Sequence, residues 1–392
     1  MALLDIPLGR IREADLSHLI SDGARESVVI DYKRDTFGRR DRDHAEYLAD
    51  VSSFANTAGG DLIIGMDEAH GVPTRITPFT GDPDAEVRRL EDMARGGLEP
   101  RLPSLTAHVV PVAGGCVIIV RVRRSFTGPH RVTFQGGARF WVRGGAGRHE
   151  PNVDQLRRLF IDGPQLFERV RTFRADRIAK IAADELPVPF HPGGKVVVHV
   201  VPLPAFADGR FADVVDVVAH GTHVPLPLSG PGPNRGAANF DGYLNMRDDV
   251  GKKQSYAQLF RSGAIEGVIE LSPDGSGTPY IAGPDFANTV VAGVRQYAGV
   301  LAAMEAGEPL YALVSLVGVV GSHLRYETQG LGGYYQGGPY AHDHIILPEI
   351  MLDSARGDVP ALLRPAFNML WNAFGLARCD MYRDDGVWIG VA

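Results

Sequence analysis

Hydrophobic and polar positions in the first 160 residues alternate between two rhythms. A short helical pattern over Asp15–Ile20 ends at the turn Ser21-Asp22-Gly23, and SVVIDYK follows, a strand-length run rich in β-branched and aromatic residues. After the polar loop RDTFGRRDRD, a helix is predicted from about Asp43, carrying Leu48, Val51, Phe54 and Ala55 on one face. Gly59-Gly60 supplies the left-handed backbone that stops it. DLIIGMDE reads as a buried strand with an acidic exit. DPDAEVRRLEDMARGG reads as a second helix, with aspartates where the helix dipole favours them. LTAHVVPV and CVIIVRVRRS are two further strands, and HRVTF, QGG and ARFWVR form a hairpin. Strands mixed with helices on this scale predict an α+β or mixed α/β domain.

Residues 153–183 carry a helical pattern with charged exposed faces. The predicted division is a first domain over 1–160, a helical connector over 161–186 and a second mixed α/β domain over 187–392. In the second domain KVVVHVVPL is the first strong strand, and a Pro/Gly-rich loop spans 225–237. SYAQLFR, IEGVIEL and PYIAG alternate helix-like and strand-like patterns. A long apolar helix is predicted over 285–306, a strand at LYALVSLVGVV, a tyrosine- and glycine-rich loop over 326–344 and a closing helix at PALLRPAFNMLWNAFG. No repeat recurs at a fixed period.

Composition narrows the class. The 392 residues are 44% hydrophobic and 22% charged, as in ordinary globular proteins. No apolar run approaches the roughly 20 residues of a membrane helix, so no membrane partner is expected. The opening MALLDIPLGRIREAD meets an acid at Asp5 and lacks a basic leader, and Cys116 and Cys379 are the only cysteines. Together these predict a cytoplasmic protein without a disulfide framework. The net charge of −7 is unevenly spread: residues 1–160 hold 22 Lys and Arg against 22 Asp and Glu, the remainder 18 against 25. Arg121 to Arg148 contains seven arginines and no acid. Such a strip binds phosphate even on an acidic molecule, because exposed charges are screened beyond about 8–10 Å. With five lysines against 35 arginines, the missing acids carry more weight than the arginines themselves.

Four pieces stand together in the first domain: ESVVIDYK at 26–33, SSFANTAGGDLIIGMDE at 52–68, SFTGPHRV at 125–132 and RFWVRGG at 139–145. In this order they resemble the AlbA_2 domain of Schlafen proteins, over about residues 20–160. That resemblance implies nucleic-acid binding. In the nuclease branch it also implies metal-dependent cleavage of transfer and ribosomal RNA by three carboxylates. Carried over position by position, these fall on Glu26, Asp31 and Asp67. Asp31 stands where the nuclease branch usually has glutamate, a side chain one methylene longer.

The residue chemistry can be weighed without the family. Phosphodiester hydrolysis uses Mg²⁺ or Mn²⁺ held by carboxylate oxygens and water, and Glu26, Asp31 and Asp67 are ligands of that type. Lys33, two residues beyond Asp31, leaves the same strand face and would stabilise developing charge. Glu26 and Asp31 are an odd number apart, so they converge only if Glu26 precedes the strand at a bend. The plain reading is a local cap at Glu26, a solvated strand face at Asp31 and Lys33, and a polar turn at Asp67-Glu68.

Candidate nucleic-acid contacts are Arg121, Arg123, Arg124, His130, Arg131, Arg139 and Arg143, with Phe140 and Trp141 interleaved for stacking. His130 reads equally as a structural hydrogen-bonding histidine. Gly59-Gly60 follows a helix instead of opening one, and no G-x-x-x-x-G-K-[ST] loop is present, so no ATP site is supported. Asn56 reads as a helix terminator or a link to a neighbouring strand, His199 as a satisfied core histidine. His342-Asp343-His344 is a weak metal motif, and Tyr334, Tyr335 and Tyr340 read as a stacking surface or an interface.

The leading expectation is a metal-dependent endoribonuclease acting on structured, tRNA-like RNA, with a setting in bacterial defence or stress response implied by the resemblance alone. The alternative is a non-catalytic DNA- or RNA-binding regulator. A third class is an assembly or effector-sensing protein whose function lies in the second domain. The single copy of the motif set suggests a homodimer, or a second domain taking the place of a partner lobe.

Overall fold

The computed structural model describes residues 3–102, 105–145, 147–207, 217, 224–230, 232–247, 254–273, 277, 279–327, 334–352, 354–355 and 357–390. Residue 231 of the expected 225–237 loop and residues 328–333 of the expected 326–344 loop lie outside the described residues. The chain divides into two compact units, Met1–Gln165 and Leu166–Ala392. Both mix helices with sheets, an α+β construction throughout.

In the first unit, α1 (Glu13–Ser21) leads to β1 (Ile30–Lys33) and α2 (Asp41–Ala55). The hairpin β3 (Met66–Ala69) and β4 (Val72–Ile76) follows β2 (Gly60–Ile64), and then come α3 (Pro83–Gly97) and the short β5 (Leu98–Glu99). β6 (Leu105–Val112) and β7 (Gly115–Val122) complete a sheet of order β1-β2-β7-β6, in which β1 and β2 are parallel and the other pairs antiparallel. Short strands β8 (Arg131–Val132), β9 (Arg139–Phe140), β10 (Val142–Gly144) and β11 (Gly147–His149) follow.

Every residue of β2 is buried, as is β7 from Cys116 onward, because both faces of the sheet are covered. Leu62, Ile64, Ile118 and Val120 pack against Tyr47, Val51 and Phe54 of α2 and Leu90 of α3. Tyr32, Ile63, Val117 and Ile119 pack against Ile11, Leu16 and Leu19 on the other face. The Asp82 carboxylate caps α3, accepting from the amides of Asp84 and Ala85, and Pro83 occupies a first-turn position.

Two strands of the first unit differ from expectation: DLIIGMDE breaks at Gly65 into β2 and the hairpin strand β3, and SVVIDYK is shortened. Of SVVIDYK only Ile30–Lys33 is a strand. Residues 26–29 turn back, with the Ser27 amide donating to the Ile30 carbonyl at 3.0 Å and the Ser27 hydroxyl accepting from the Val29 amide. A serine bonding its own backbone competes with the ladder.

The helix α4 (Val153–Ala182) runs across the division between the units. The second unit is built on an eight-stranded sheet: β12 (Lys195–Pro202), β13 (Asn234–Ala238), β14 (Gly242–Arg247), β15 (Ser255–Phe260), β16 (Ile265–Glu270), β18 (Leu310–Val317), β21 (His344–Ile346) and β22 (Ile350–Leu352). Its order is β13-β14-β15-β16-β12-β18-β21, with β22 also on β18. β17 (Tyr280–Ala282), β19 (His323–Glu327) and β20 (Tyr334–Gly337) make a separate three-stranded sheet. Helices α5 (Gly283–Ala303) and α6 (Val359–Ala373) cover one face of the large sheet through Val290, Val294, Phe367 and Trp371. SYAQLFR, helix-like in sequence, is β15, paired on both sides and almost wholly buried: tertiary pairing overrides local preference here.

On the opposite face a charge is buried. Glu266, fully shielded, stands beside His199 in the β12–β16 register. Its carboxylate accepts from Arg177 Nε and Nη2 at 2.8 Å each and from the Tyr256 hydroxyl at 2.7 Å, and His199 Nε2 lies 2.9 Å away. Burial opposes its ionisation, but the hydrogen bonds and charges of His199 and Arg177 outweigh it and hold the pKa at about 2. A depressed acid stabilises the fold fully above its ordinary pKa of 4.5, and the contribution is lost as pH falls toward about 2. By linkage this is worth on the order of 3 kcal/mol. Glu266→Gln is expected to be less stable at pH 7 by ~3 kcal/mol, since it leaves the largely shielded Arg177 without its counter-charge. Its stability should also fall less steeply than the wild type's between pH 4.5 and 2. Urea unfolding of both proteins at pH 7 and pH 3 checks this, and equal acid losses would contradict the assignment.

Candidate functional site

The end of α2 organises the region where the sequence motifs meet. Phe54-Ala55-Asn56-Thr57 supplies four consecutive anchors. The Phe54 ring lies under the Arg143 guanidinium, 4.2 Å from centroid to carbon. The Ala55 carbonyl accepts from the Ser125 amide at 2.8 Å. Asn56 donates to the carbonyls of His130 and Trp141 at 2.8 and 3.0 Å and accepts from the His130 amide at 2.7 Å. The Thr57 hydroxyl accepts from the Arg143 amide. Asn56 is therefore the cross-link to neighbouring chain that its sequence setting suggested.

The two glycines that follow are fixed by space. Gly59 has φ +75° and its missing Cβ would meet backbone atoms of Val122 and Arg124 at 2.8 Å. At Gly60 a Cβ would run into the Phe54 ring.

Against this anchor sits a buried ionic cluster. Asp31 is ion-paired through both oxygens: Oδ1 to Lys33 Nζ at 2.9 Å and Oδ2 to Arg143 Nη1 at 2.8 Å. Asp50, buried on α2, pairs with Arg148 through Oδ1, while its Oδ2 lies 3.5 Å from Lys33 Nζ, too loosely placed for a hydrogen bond. Burial works against ionisation of Asp31, but Lys33 and Arg143 prevail and hold its pKa below the usual range. Burial raises Asp50, only partly countered by Lys33 and Arg148. Burial disfavours the Lys33 cation too, yet Asp50 and Asp31 lift its pKa above the ordinary value.

Glu26 joins this group from the preceding bend. Because residues 26–29 fold back, Glu26 Oε1 accepts from the Tyr32 amide at 3.0 Å, which resolves the odd spacing to Asp31. Burial raises its pKa, the Tyr32 amide lowers it, and the charge and hydrogen bond of Asp31 push it up again. Glu26 is the member of the carboxyl pair that more readily carries a proton.

Asp67 is differently engaged. It faces Arg75 across the β3–β4 hairpin, with Oδ2 3.0 Å from Nη2, and Glu68 accepts from the Gly71 amide. The three-acid metal set expected from Glu26, Asp31 and Asp67 is thus not assembled. Among the described residues no group of three or more His, Cys, Asp or Glu side chains is placed to hold a metal ion. The donor chemistry agrees: a divalent cation needs free carboxylate oxygens, and both oxygens of Asp31 already face fixed cations. This arrangement does not fit Mg²⁺ or Mn²⁺, and His342-Asp343-His344 adds no alternative among the described residues.

The expected arginine strip is likewise mostly committed to internal partners. Arg121 is buried against Asp61, its cross-strand neighbour, and also donates to the carbonyls of Leu3 and Ile6. Arg143 is buried on Asp31. Arg124 pairs with Asp162 at 2.8 Å, Arg131 with Glu99 at 3.0 Å and Arg139 with Glu150 at 3.5 Å, while Arg123 is half-buried just past β7. His130 is fully buried: Nδ1 donates to the Pro100 carbonyl at 2.6 Å, so Nε2 accepts from the Ser125 hydroxyl at 2.7 Å. Burial lowers its pKa, and the bond to Pro100 offsets this in part. The structural reading of His130 is the one the geometry favours.

Sequence reading missed Asp50 and the arginines that follow β1. Asp50 had a signal: it lies three residues after Tyr47 and four before Phe54, on the face α2 buries, where a charge demands partners. Lys33 and Arg148 keep about a quarter of their side chains exposed, at 25% and 28%, above acids that are almost wholly shielded. The loop from β1 to α2 adds Arg34, Arg39 and Arg40, and the first turn of α2 adds Arg42, all exposed. Residues 33–42 hold five cations against Asp35 and Asp41.

Residues 26–152 match the family model described as Schlafen, AlbA_2. No curated protein sequence matches the chain. Among solved structures, the solution structure of the N-terminal domain of the "Putative ATP-dependent DNA Helicase RecG-related Protein" from Nitrosomonas europaea is similar at 25% identity. The match covers 37% of this chain and 92% of that one, with a TM-score of 0.27. The DIP2311 protein from Corynebacterium diphtheriae is similar at 18% identity over 36% of this chain, with a TM-score of 0.27; the match spans 29% of that protein's chain.

Asn56→Ala strands two buried backbone groups of His130 and the half-buried Trp141 carbonyl, each buried group costing roughly 1–3 kcal/mol when left unpaired. Asn56→Asp cannot donate to the two carbonyls and adds a buried charge. Both variants are expected to lower the stability of the first unit by at least ~2 kcal/mol, the aspartate more strongly. Chemical denaturation followed through a probe in residues 1–165 tests this, and an Asn56→Asp variant as stable as wild type would show that the cross-link is dispensable.

Proposed function

We propose, for the Schlafen AlbA_2 domain that residues 26–152 form, a nucleic-acid docking role: it holds a phosphate backbone without hydrolysing it. The observation that carries this reading is the occupancy of Asp31, whose two oxygens sit 2.9 and 2.8 Å from Lys33 and Arg143. A carboxylate paired with a cation through each oxygen is poorly placed to hold a catalytic ion as well. The same geometry turns positive charge outward, with Lys33 and Arg148 above buried acids and the loop arginines alongside. Phosphate contacts of this kind release counterions and set affinity without reading sequence. We place the docking surface on Lys33, Arg34, Arg39, Arg40, Arg42 and Arg148; Arg40 pairs with Asp43 at 3.1 Å but keeps 86% of its side chain exposed. DNA and RNA backbones both satisfy this chemistry.

Fluorescence anisotropy with single-stranded RNA, transfer RNA and duplex DNA, at increasing salt, provides the test. Binding should weaken steeply with salt and be indifferent to chelator. Arg39→Glu combined with Arg40→Glu should cost at least ~10-fold in affinity, whereas Arg131→Glu with Arg139→Glu should change it little. Incubating the same substrates with Mg²⁺ or Mn²⁺ should leave them intact. Metal-dependent cleavage abolished by Glu26→Ala and Asp31→Ala would instead establish the endoribonuclease reading, and absence of salt-sensitive binding would remove the docking role.

A further inference from the structure

The large sheet of the second unit ends at β13, and among the described residues that strand is paired on one side only. The turn after it fixes which backbone groups remain outward. Asn239 and Gly242 exchange backbone bonds, Asn239 N to Gly242 O at 2.8 Å and Gly242 N to Asn239 O at 3.3 Å. In an antiparallel ladder bonded pairs alternate with non-bonded ones. Ala237–Leu244 and Arg235–Met246 are therefore the bonded pairs, and the N–H and C=O groups of Gly236 and Ala238 point away from β14.

Natural sheets protect such edges with proline, bulges or several charges. β13 (sequence NRGAA) has no proline, runs in unbroken register with β14 and carries one charge, Arg235. Gly236, Ala237 and Ala238 are exposed and small enough for another backbone to approach.

We propose that β13 is the contact between two copies of this chain, paired antiparallel about a two-fold axis through Ala237. In that register Gly236 lies opposite Ala238 of the second copy, and Ala238 opposite its Gly236, so the outward groups on both strands form four N–H···O bonds. The patch is self-complementary, as a two-fold interface requires. Ala237 meets its own copy with only a methyl group on each side. Arg235 comes opposite Asn239 of the second copy, two residues from its exposed acid Asp241, so unlike charges meet across the seam. Phe240, 93% exposed, falls beside Asn234 of the second copy. Its turn is already rigid: Asn239 Oδ1 accepts from the Gly242 amide, Asn239 Nδ2 donates to Gln258 Oε1 at 2.7 Å, and Arg261 Nε donates to the Phe240 carbonyl at 2.9 Å. The aromatic ring is presented at little further entropic cost. This pairing belongs to the second unit and stands or falls separately from nucleic-acid binding by the first.

Sedimentation of the full chain over a micromolar concentration range is the measurement. The wild type should sediment as a dimer. Ala237→Glu alone, and Ala237→Lys alone, place like charges on the axis and should each weaken the dimer by ~10-fold or more, whereas an equal mixture of the two should restore it. The substituted position is exposed, and recovery in the mixture shows that both variants are folded. A monomeric wild type, a dimer indifferent to either substitution, or a mixture that stays monomeric would each overturn the proposal.

Discussion

The first unit depends on the ion pair between Asp31 on β1 and Arg143 on β10. Both side chains are out of water, at 7% and 2% exposure, and 112 residues apart in sequence. Removing one partner of such a pair typically costs ~3–5 kcal/mol, because the other is left charged in a poor solvent. That penalty fixes a register between distant strands, which non-directional apolar packing does not. Arg143 is held on two further sides, by the Phe54 ring beneath its guanidinium and by the Thr57 hydroxyl on its amide. Its position is overdetermined, and so is the end of α2.

From this anchor the sequence motifs acquire a structural meaning. Asp31 and Lys33, the FANT run, the Pro129-His130 step and Arg143 come from four separate stretches, and each makes its main polar contacts with another of them or with a backbone beside it. Asn56 bonds both the amide and the carbonyl of His130, and His130 closes on Ser125 and Pro100. A set of residues that satisfies itself in this way specifies a fold first. What it leaves over for a ligand is the partly exposed cationic rim, not the acids beneath.

Much of this was legible from the chain. The two helices flanking β2, the glycine stop after α2 and the buried strands followed from spacing and turn chemistry, and the link made by Asn56 followed from its place at a helix end. The charged residues were harder to place. Arg121, Arg131 and Arg139 look alike in sequence, yet one is buried on Asp61 and the others are exposed on Glu99 and Glu150. Their partners lie 60, 32 and 11 positions away, beyond what local pattern encodes. Asp67 misled for the opposite reason: its partner Arg75 is local, but the hairpin joining them is announced only by His70-Gly71 at its tip. β15 shows the same limit for secondary structure, since a six-residue run takes its state from the strands on either side.

The two units meet the cost of a buried carboxylate in related ways. Glu266 spends its oxygens on Arg177, Tyr256 and His199, and its pKa falls to about 2. Asp31 spends both of its oxygens on Lys33 and Arg143 and is also depressed, while Asp50 and Glu26 nearby are raised. The difference lies in how many acids share the available cations. Around Glu266 one acid is fully served, and the site is closed. In the first unit Asp31 and Asp50 share Lys33, Arg143 and Arg148, with Glu26 close by, and the competition leaves the pKa values of Asp50 and Glu26 above the ordinary carboxylate range. A polyanion approaching Lys33 and Arg148 would draw on those same cations, and the buried acids would respond by binding protons more tightly. On the docking reading proposed above, phosphate binding and proton uptake by Glu26 or Asp50 would therefore be linked through shared side chains.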